Sequence, residues 1–191
     1  MKRIIWHWTG GGHKANGTDR RHYHFIIEGD GTVTAGNHPP EANRHIANPR
    51  DGSTYAAHTR GANTDSIGVA VAAMRGARER PFSAGPSPIT EAHVAALAQL
   101  TADLCTRYKI PVQRETTLSH AEVQPTLGIA QSGKWDITWL PGMPGPGDPV
   151  EVGDRLRRKV AAALAPQPAR APTGWAALIA AVLRLLRLRR D

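Results

Sequence analysis

The chain has 191 residues, with 24 Lys and Arg against 16 Asp and Glu, nine His and one Cys. That length suits one compact domain with a real core, and 40% apolar with 21% charged residues is ordinary globular composition that argues against wholesale disorder. One Cys excludes an internal disulfide and any multi-cysteine zinc or iron–sulfur site, so a metal would have to be held by His and carboxylates.

Through Asp154 the chain carries 15 basic and 15 acidic side chains; from Arg155 onward it carries nine basic and one acidic. The net charge of +8 therefore belongs to the last 37 residues. The domain itself is neutral, so no nucleic-acid partner is expected. The start has no apolar signal-peptide core, and no run of about 18 apolar residues is present to span a bilayer.

Residues 3–8 are apolar and β-branched at their start, which predicts a buried strand. His22–Glu28 and Thr32–Thr34 flank Gly29-Asp30-Gly31 and predict a hairpin, the Asp-Gly step supplying the positive φ values of a tight type I′ turn. Residues 36–57, rich in Asn, Pro, His and Gly, read as a long loop, and a stretch of that length inside a compact domain is more often functional than accidental. Ser66–Ala72 reads as a second buried strand.

Positions 93, 97, 100, 104 and 108 form a helical stripe between Thr90 and Lys109, with Thr90 placed to cap it and Glu91 in its positive first turn. Cys105 lies beside that stripe and is expected to be an inert buried thiol. Residues 153–164 predict a further helix, 166–173 a stiff Pro-rich linker, and 174–190 a last helix. On that last helix Trp175, Leu178, Ile179, Val182 and Leu186 share one face, and Arg187, Arg189 and Arg190 crowd the end. Such a helix suits an anionic membrane surface; docking on its own domain, or a dimer contact, is the alternative.

Nine histidines exceed what a core of this size needs. His7 lies in the first strand between Trp6 and Trp8 and is followed by Thr9-Gly10-Gly11-Gly12. His120 closes a β-like run, Thr116–Ser119, with Glu122 just beyond and Lys134-Trp135-Asp136 farther on. Two neutral imidazoles and a carboxylate are a common ligand set for catalytic zinc, although spacing alone leaves these as ordinary structural residues.

Taken in order, Ile5-Trp6-His7-Trp8-Thr9, His22-Tyr23-His24-Phe25-Ile26-Ile27 with Asp30-Gly31-Thr32-Val33, Ala57-His58-Thr59-Arg60-Gly61 running into Ser66-Ile67-Gly68-Val69, His120-Ala121-Glu122 and Lys134-Trp135-Asp136 resemble the type 2, zinc-dependent N-acetylmuramoyl-L-alanine amidases. That family includes phage endolysins, a cytoplasmic recycling amidase and the peptidoglycan recognition proteins. The resemblance covers roughly residues 3–160 and implies a single α/β domain with a mixed central sheet flanked by helices. It implies one zinc ion held by His7, His120 and Asp136, with Tyr23 and Lys134 catalytic and His58 at the floor of a substrate groove. Glu122 is expected to stand behind the ligands, fixing one imidazole tautomer.

The chemistry agrees with these residue types. Zinc on two neutral His and one carboxylate keeps a net positive charge and activates water near neutral pH. Lys134 would stabilise the developing oxyanion at the amide between N-acetylmuramic acid and L-alanine. Tyr23, with an ordinary pKa of about 10, suits orienting water better than accepting its proton.

Only 15 residues separate His7 from Tyr23, too few for the helix many relatives insert there, so one groove wall is missing or rebuilt by the 36–57 loop. The His120–Asp136 interval is longer than usual, with residues 126–132 looking like an insertion bordering the site. Trp135 and Trp139 are expected to pack the core, and His13, His22, His24, His38, His45 and His93 to be structural or surface residues.

The expected organisation is an amidase domain over 1–165, a linker over 166–173 and a cationic amphipathic helix over 174–191. The expected role is hydrolysis of peptidoglycan by a monomeric phage or prophage endolysin, made in the cytoplasm and reaching the wall through a holin or equivalent. A cytoplasmic anhydro-muropeptide amidase and a non-catalytic recognition module are the alternatives.

Overall fold

A computed structural model describes residues 1–165; the expected linker and the helix over 174–191 lie outside them. The strands are β1 (Arg3–Trp8), β2 (Phe25–Ile27), β3 (Val33–Ala35), β4 (Ser66–Val71) and β5 (Thr117–Ser119). They form one mixed sheet in the order β3-β2-β4-β1-β5, in which β1 runs parallel to both neighbours, β2 parallel to β4, and only β3 antiparallel. The helices are α1 (Gly17–His22), α2 (Glu91–Tyr108), α3 (His120–Leu127) and α4 (Pro149–Leu164). The α/β class and mixed sheet are as expected. Among the described residues no helix is long and apolar enough to cross a membrane.

Strands β1 and β4 are covered on both faces and read as near-continuous apolar runs, as central parallel strands do. The two-residue period of β1 separates its side chains. Ile4, Trp6 and Trp8 enter the main core with Leu97 and Leu104 of α2 and Leu156 and Val160 of α4. Ile5 joins a smaller cluster on the other side with Ala62, Leu118 and Val123. His7 points with Ile5, so the site lies on the thin face of the sheet. The Trp6 indole N–H is satisfied by Thr101 Oγ1 at 3.0 Å within the thick face. Cys105 is buried there and its thiol is pushed up to about 11 by burial, an inert thiol as expected.

Several local expectations are corrected. The interval before Tyr23 does hold a helix, α1, whose short polar sequence has no apolar stripe; Asn16 caps it and Asp19 returns the bond to the Asn16 N–H. The hairpin turn is not type I′: Asp30 has a negative φ, Gly31 alone is left-handed at 87°, and Gly31 N–H bonds the Glu28 carbonyl, so the loop has three residues closed by a bulge. The run ending at Ser119 passes directly into α3, capped reciprocally by Ser119 and Glu122. Helix α4 begins at Pro149, four residues before the expected start, because Asp148 caps it and Pro149 occupies its first turn.

Candidate metal centre

His7 sits one residue before the end of β1, and His120 follows the last residue of β5, the adjacent parallel strand. Both imidazoles therefore stand at the carboxyl edge of the sheet, where open α/β sheets place their ligands. Asp136 arrives from the loop after α3, and its backbone carbonyl accepts the Ala121 N–H at 2.6 Å, tying the third residue to the helix that carries the second. Trp135 packs edge-on against Trp8 at 4.5 Å, which fixes the loop one residue before Asp136. Trp139 is buried with its indole N–H on the Met143 carbonyl, so both tryptophans serve packing.

The result is a near-equilateral triangle of buried donor atoms. His7 Nδ1 and His120 Nδ1 are 3.1 Å apart, and each is 3.2 Å from Asp136 Oδ2. Among the described residues this is the one group of His, Cys, Asp and Glu that could hold a metal.

What lies behind the imidazoles decides which way their lone pairs point. His120 Nε2 is 2.8 Å from Gln131 Oε1. His7 Nε2 faces Thr59 Oγ1 and His58 Nδ1, both at 3.3 Å, and Thr59 Oγ1 lies 2.8 Å from His58 Nδ1. With acceptors behind each Nε2, the Nε2 atoms carry the protons and both Nδ1 atoms present lone pairs to one another and to a carboxylate. A cation is what such a trio accommodates. Edges of 3.1–3.2 Å also lie close to the edge of about 3.3 Å that metal–ligand bonds of about 2.0–2.1 Å give in a tetrahedron.

Charge agrees with this. Burial, with help from the neighbouring His120, lowers the His7 pKa to about 4, so the ring is neutral at pH 7. Burial works to raise the Asp136 pKa, but the His120 and His7 side chains beside it outweigh burial and lower it, so the carboxylate is ionised. Two imidazole donors and one anion fit a single divalent cation.

His58 is buried directly behind His7, and its pKa is driven well down by burial and by the surrounding imidazoles. Its Nε2 is buried and makes no hydrogen bond. Gly68 makes room for it: a Cβ there would lie 2.5 Å from His58 Cγ, which gives the glycine inside β4 its reason. Two buried or partly buried asparagines hold the segment. Asn63 Oδ1 accepts the His58 and Thr59 N–H groups, and Asn43 bridges the backbone of Ala56 and Asn63 while receiving His24 Nε2.

A cavity of about 410 Å³ opens beside this centre. Pro49, Tyr55 and Ala57 from the long loop line it together with His58, His120, Gln131 and Lys134. The 36–57 loop thus does supply a groove wall. Tyr23 places its ring 5.2 Å from that of His7, and burial followed by the Asp136 charge pushes its phenol pKa above the ordinary value. Lys134 is exposed at the cavity.

Glu122 does not stand behind an imidazole, and this expectation is corrected. Its carboxylate accepts the Ser119 N–H at 2.7 Å and the Arg157 guanidinium at 2.7 Å. It therefore closes the cap of α3 and joins α3 to α4, and the residue that meets His120 is Gln131. Sequence reasoning missed Gln131, Thr59 and the two asparagines; buried amides and hydroxyls in a loop give no periodic signal, and only the adjacency of Thr59 to His58 hinted at one of them.

Residues 1–146 match the family described as N-acetylmuramoyl-L-alanine amidase. The fold is similar to the N-acetylmuramoyl-L-alanine amidase LysC from Clostridium intestinale URNW, with 18% identity over 81% of this chain and 83% of that one and a TM-score of 0.45. It is similar to the Ph2119 endolysin from Thermus scotoductus MAT2119 bacteriophage Ph2119, with 17% identity over 83% of each chain and a TM-score of 0.46. It is also similar to the N-acetylmuramyl-L-alanine amidase AmiD from E. coli, solved in complex with the substrate anhydro-N-acetylmuramic acid-L-Ala-D-gamma-Glu-L-Lys, with 20% identity over 98% of this chain and 70% of that one and a TM-score of 0.49. No protein of curated function matches the chain. The chain belongs to the N-acetylmuramoyl-L-alanine amidase family.

Proposed function

We propose that this family member hydrolyses the amide bond between N-acetylmuramic acid and L-alanine in peptidoglycan, with one zinc ion held by His7, His120 and Asp136. The observation that carries the reading is the triangle of donor atoms, with the Thr59 hydroxyl and the Gln131 amide oxygen behind the two Nε2 atoms. A zinc ion in that position supplies Lewis acidity and a water nucleophile usable at neutral pH.

The chain's own residues then divide the remaining work. Tyr23 stays protonated at neutral pH, so its phenol orients water or substrate by donating a hydrogen bond and is a poor general base. Lys134 lines the cavity, where its positive charge stabilises negative charge developing on the carbonyl oxygen. The loop wall at Pro49, Tyr55 and Ala57 limits water around the scissile bond and gives the muropeptide a surface to lie against. His58 supports the floor and the back of His7.

We assign the enzyme to the lytic, endolysin-like class, made in the cytoplasm and released to the wall through a holin or equivalent. The support is the concentration of positive charge after Asp154, of which Arg155, Arg158 and Lys159 lie exposed on α4. A surface-bound polymer rewards such charge, whereas a soluble fragment does not. The test is mass spectrometry of the soluble products from purified sacculi, with and without a chelator. Stem peptides with a free L-alanine amino terminus, lost on chelation and restored by zinc, are expected. Sacculi that bind the protein and stay intact would overturn the hydrolytic reading.

A further inference from the structure

Gln131 lies in the stretch that looks, in sequence, like an insertion between the second and third ligand positions. The loop is nevertheless firmly seated. Ile129 packs on the small apolar cluster of Ile5, Ala62, Leu118 and Val123. The Gln131 N–H donates to Gln124 Oε1 of α3 at 3.0 Å, and the Gln131 side chain is buried.

Its amide can point only one way. Nε2 donates to the Arg60 carbonyl at 2.9 Å, with the Ile129 carbonyl at 3.4 Å, and a flipped amide would set its oxygen against both. Oε1 is therefore the atom that faces His120 Nε2, and an acceptor there requires the imidazole proton to sit on Nε2. His120 Nδ1 is left bare on the side of His7 and Asp136.

The anchor of that amide is itself informative. Arg60 follows Thr59, whose hydroxyl lies behind His7 Nε2. One short turn, bound by the Asn63 side chain, thus stands behind both imidazoles: through the Thr59 hydroxyl for His7, and through the Arg60 carbonyl and Gln131 for His120.

We propose that Gln131 is a positioning residue for the metal centre, which fixes His120 in its Nε2-protonated tautomer and couples its orientation to the turn that orients His7. The inference rests on the reading of His7, His120 and Asp136 as metal ligands, and its test does not use hydrolysis. Outer partners of ligating histidines typically change metal affinity by about 10–100-fold when removed.

Two variants of the full chain separate the roles. Gln131→Met keeps the side-chain volume and removes the acceptor; Gln131→Glu keeps an acceptor. Long-range proton–nitrogen NMR on 15N-histidine protein without metal reads the His120 tautomer, and competition with a chelator reads zinc affinity. The native chain is expected to show the Nε2–H form, Gln131→Met a mixture of tautomers with zinc affinity lower by about 10–100-fold, and Gln131→Glu, which keeps the acceptor but loses the donor to the Arg60 carbonyl, the native tautomer. A merely structural loop residue would leave the tautomer unchanged. Gln131→Met with the native tautomer and native zinc affinity overturns the inference while leaving the metal reading intact; a native chain that binds no zinc overturns the metal reading and this one with it.

Discussion

Two buried carboxylates flank the start of α3, and they do opposite things. Glu122 faces the Arg157 guanidinium and the Ser119 N–H; Asp136 faces two imidazoles. Burial pushes the Glu122 pKa up despite Arg157, whereas at Asp136 the neighbouring His120 and His7 side chains overcome burial and hold the pKa down. Both residues lie near His120 in sequence or space, so residue type and proximity do not separate them. The partner does: a carboxylate already neutralised by a guanidinium is a structural strut, and a carboxylate given only lone-pair donors for company is available to a cation.

The sharpest way to break that comparison is to remove each carboxylate's role in turn. Asp136→Ala is expected to abolish stoichiometric zinc binding and hydrolysis while leaving the fold in place; titration with zinc followed by calorimetry, alongside circular dichroism, checks both. One equivalent bound at native affinity would move the third ligand elsewhere. On the structural side, Arg157→Ala leaves Glu122 buried without its counter-charge, and also strips the donors to the Thr117 and Val150 carbonyls. Removing one member of a buried pair typically costs about 3–5 kcal/mol, read here as a lower midpoint in urea unfolding. Replacing both members, as Glu122→Gln with Arg157→Met, is expected to recover much of that loss, because no uncompensated charge remains. Equal destabilisation by the single and the double change would refute the strut.

A third variant tests whether chemistry at the centre is separable from holding the metal. Lys134→Ala removes a charged donor from the cavity wall without touching the donor triangle. Hydrolysis is expected to fall by about 10²–10³-fold, the usual effect of losing one oxyanion donor, with zinc affinity unchanged. A parallel fall in zinc affinity would make Lys134 part of the metal site's support.

The same contrast explains what was legible in the sequence. The thick face of the sheet could be read because its signals are local: the apolar runs of β1 and β4, and the stripe of α2 opened by the Thr90 cap. His7, His120 and Asp136 could be named only through resemblance, since nothing in their spacing dictates that atoms 113 and 129 residues apart in sequence meet at 3.1–3.2 Å. Glu122 was misplaced because a helix cap and a second ligand shell can use the same residue two positions after a histidine, and the deciding partner, Arg157, lies 35 residues away on α4. Gln131 was hidden because its work is done by a side-chain amide that joins His120, 11 residues away, to the Arg60 carbonyl, 71 residues away. Helix α1 escaped because its signal is a reciprocal cap on six polar residues, without the apolar period that usually announces a helix.

The smallest expected effect lies at the rim of the structural centre. Asp154 accepts from Arg114 at 2.7 Å and from Arg157 at 2.9 Å, and these partners, Arg114 foremost, lower its pKa to about 2. A carboxyl whose folded pKa lies below its ordinary value of 3.8 adds stability that is fully present above that value and is lost as pH falls through about 2. Arg114 is largely exposed, so solvent and salt screen this pair and its contribution is small. The stability difference between the native chain and Asp154→Asn, followed by urea unfolding, should therefore be constant from pH 7 to about pH 5, shrink below pH 4, and shrink as well in high salt. The buried Glu122–Arg157 contact should respond far less to salt, because low-dielectric surroundings exclude the ions that screen the rim. Equal salt sensitivity of Arg157→Ala and Asp154→Asn would mean that water reaches the inner pair, and the distinction between a dry strut and a wet rim would have to be given up.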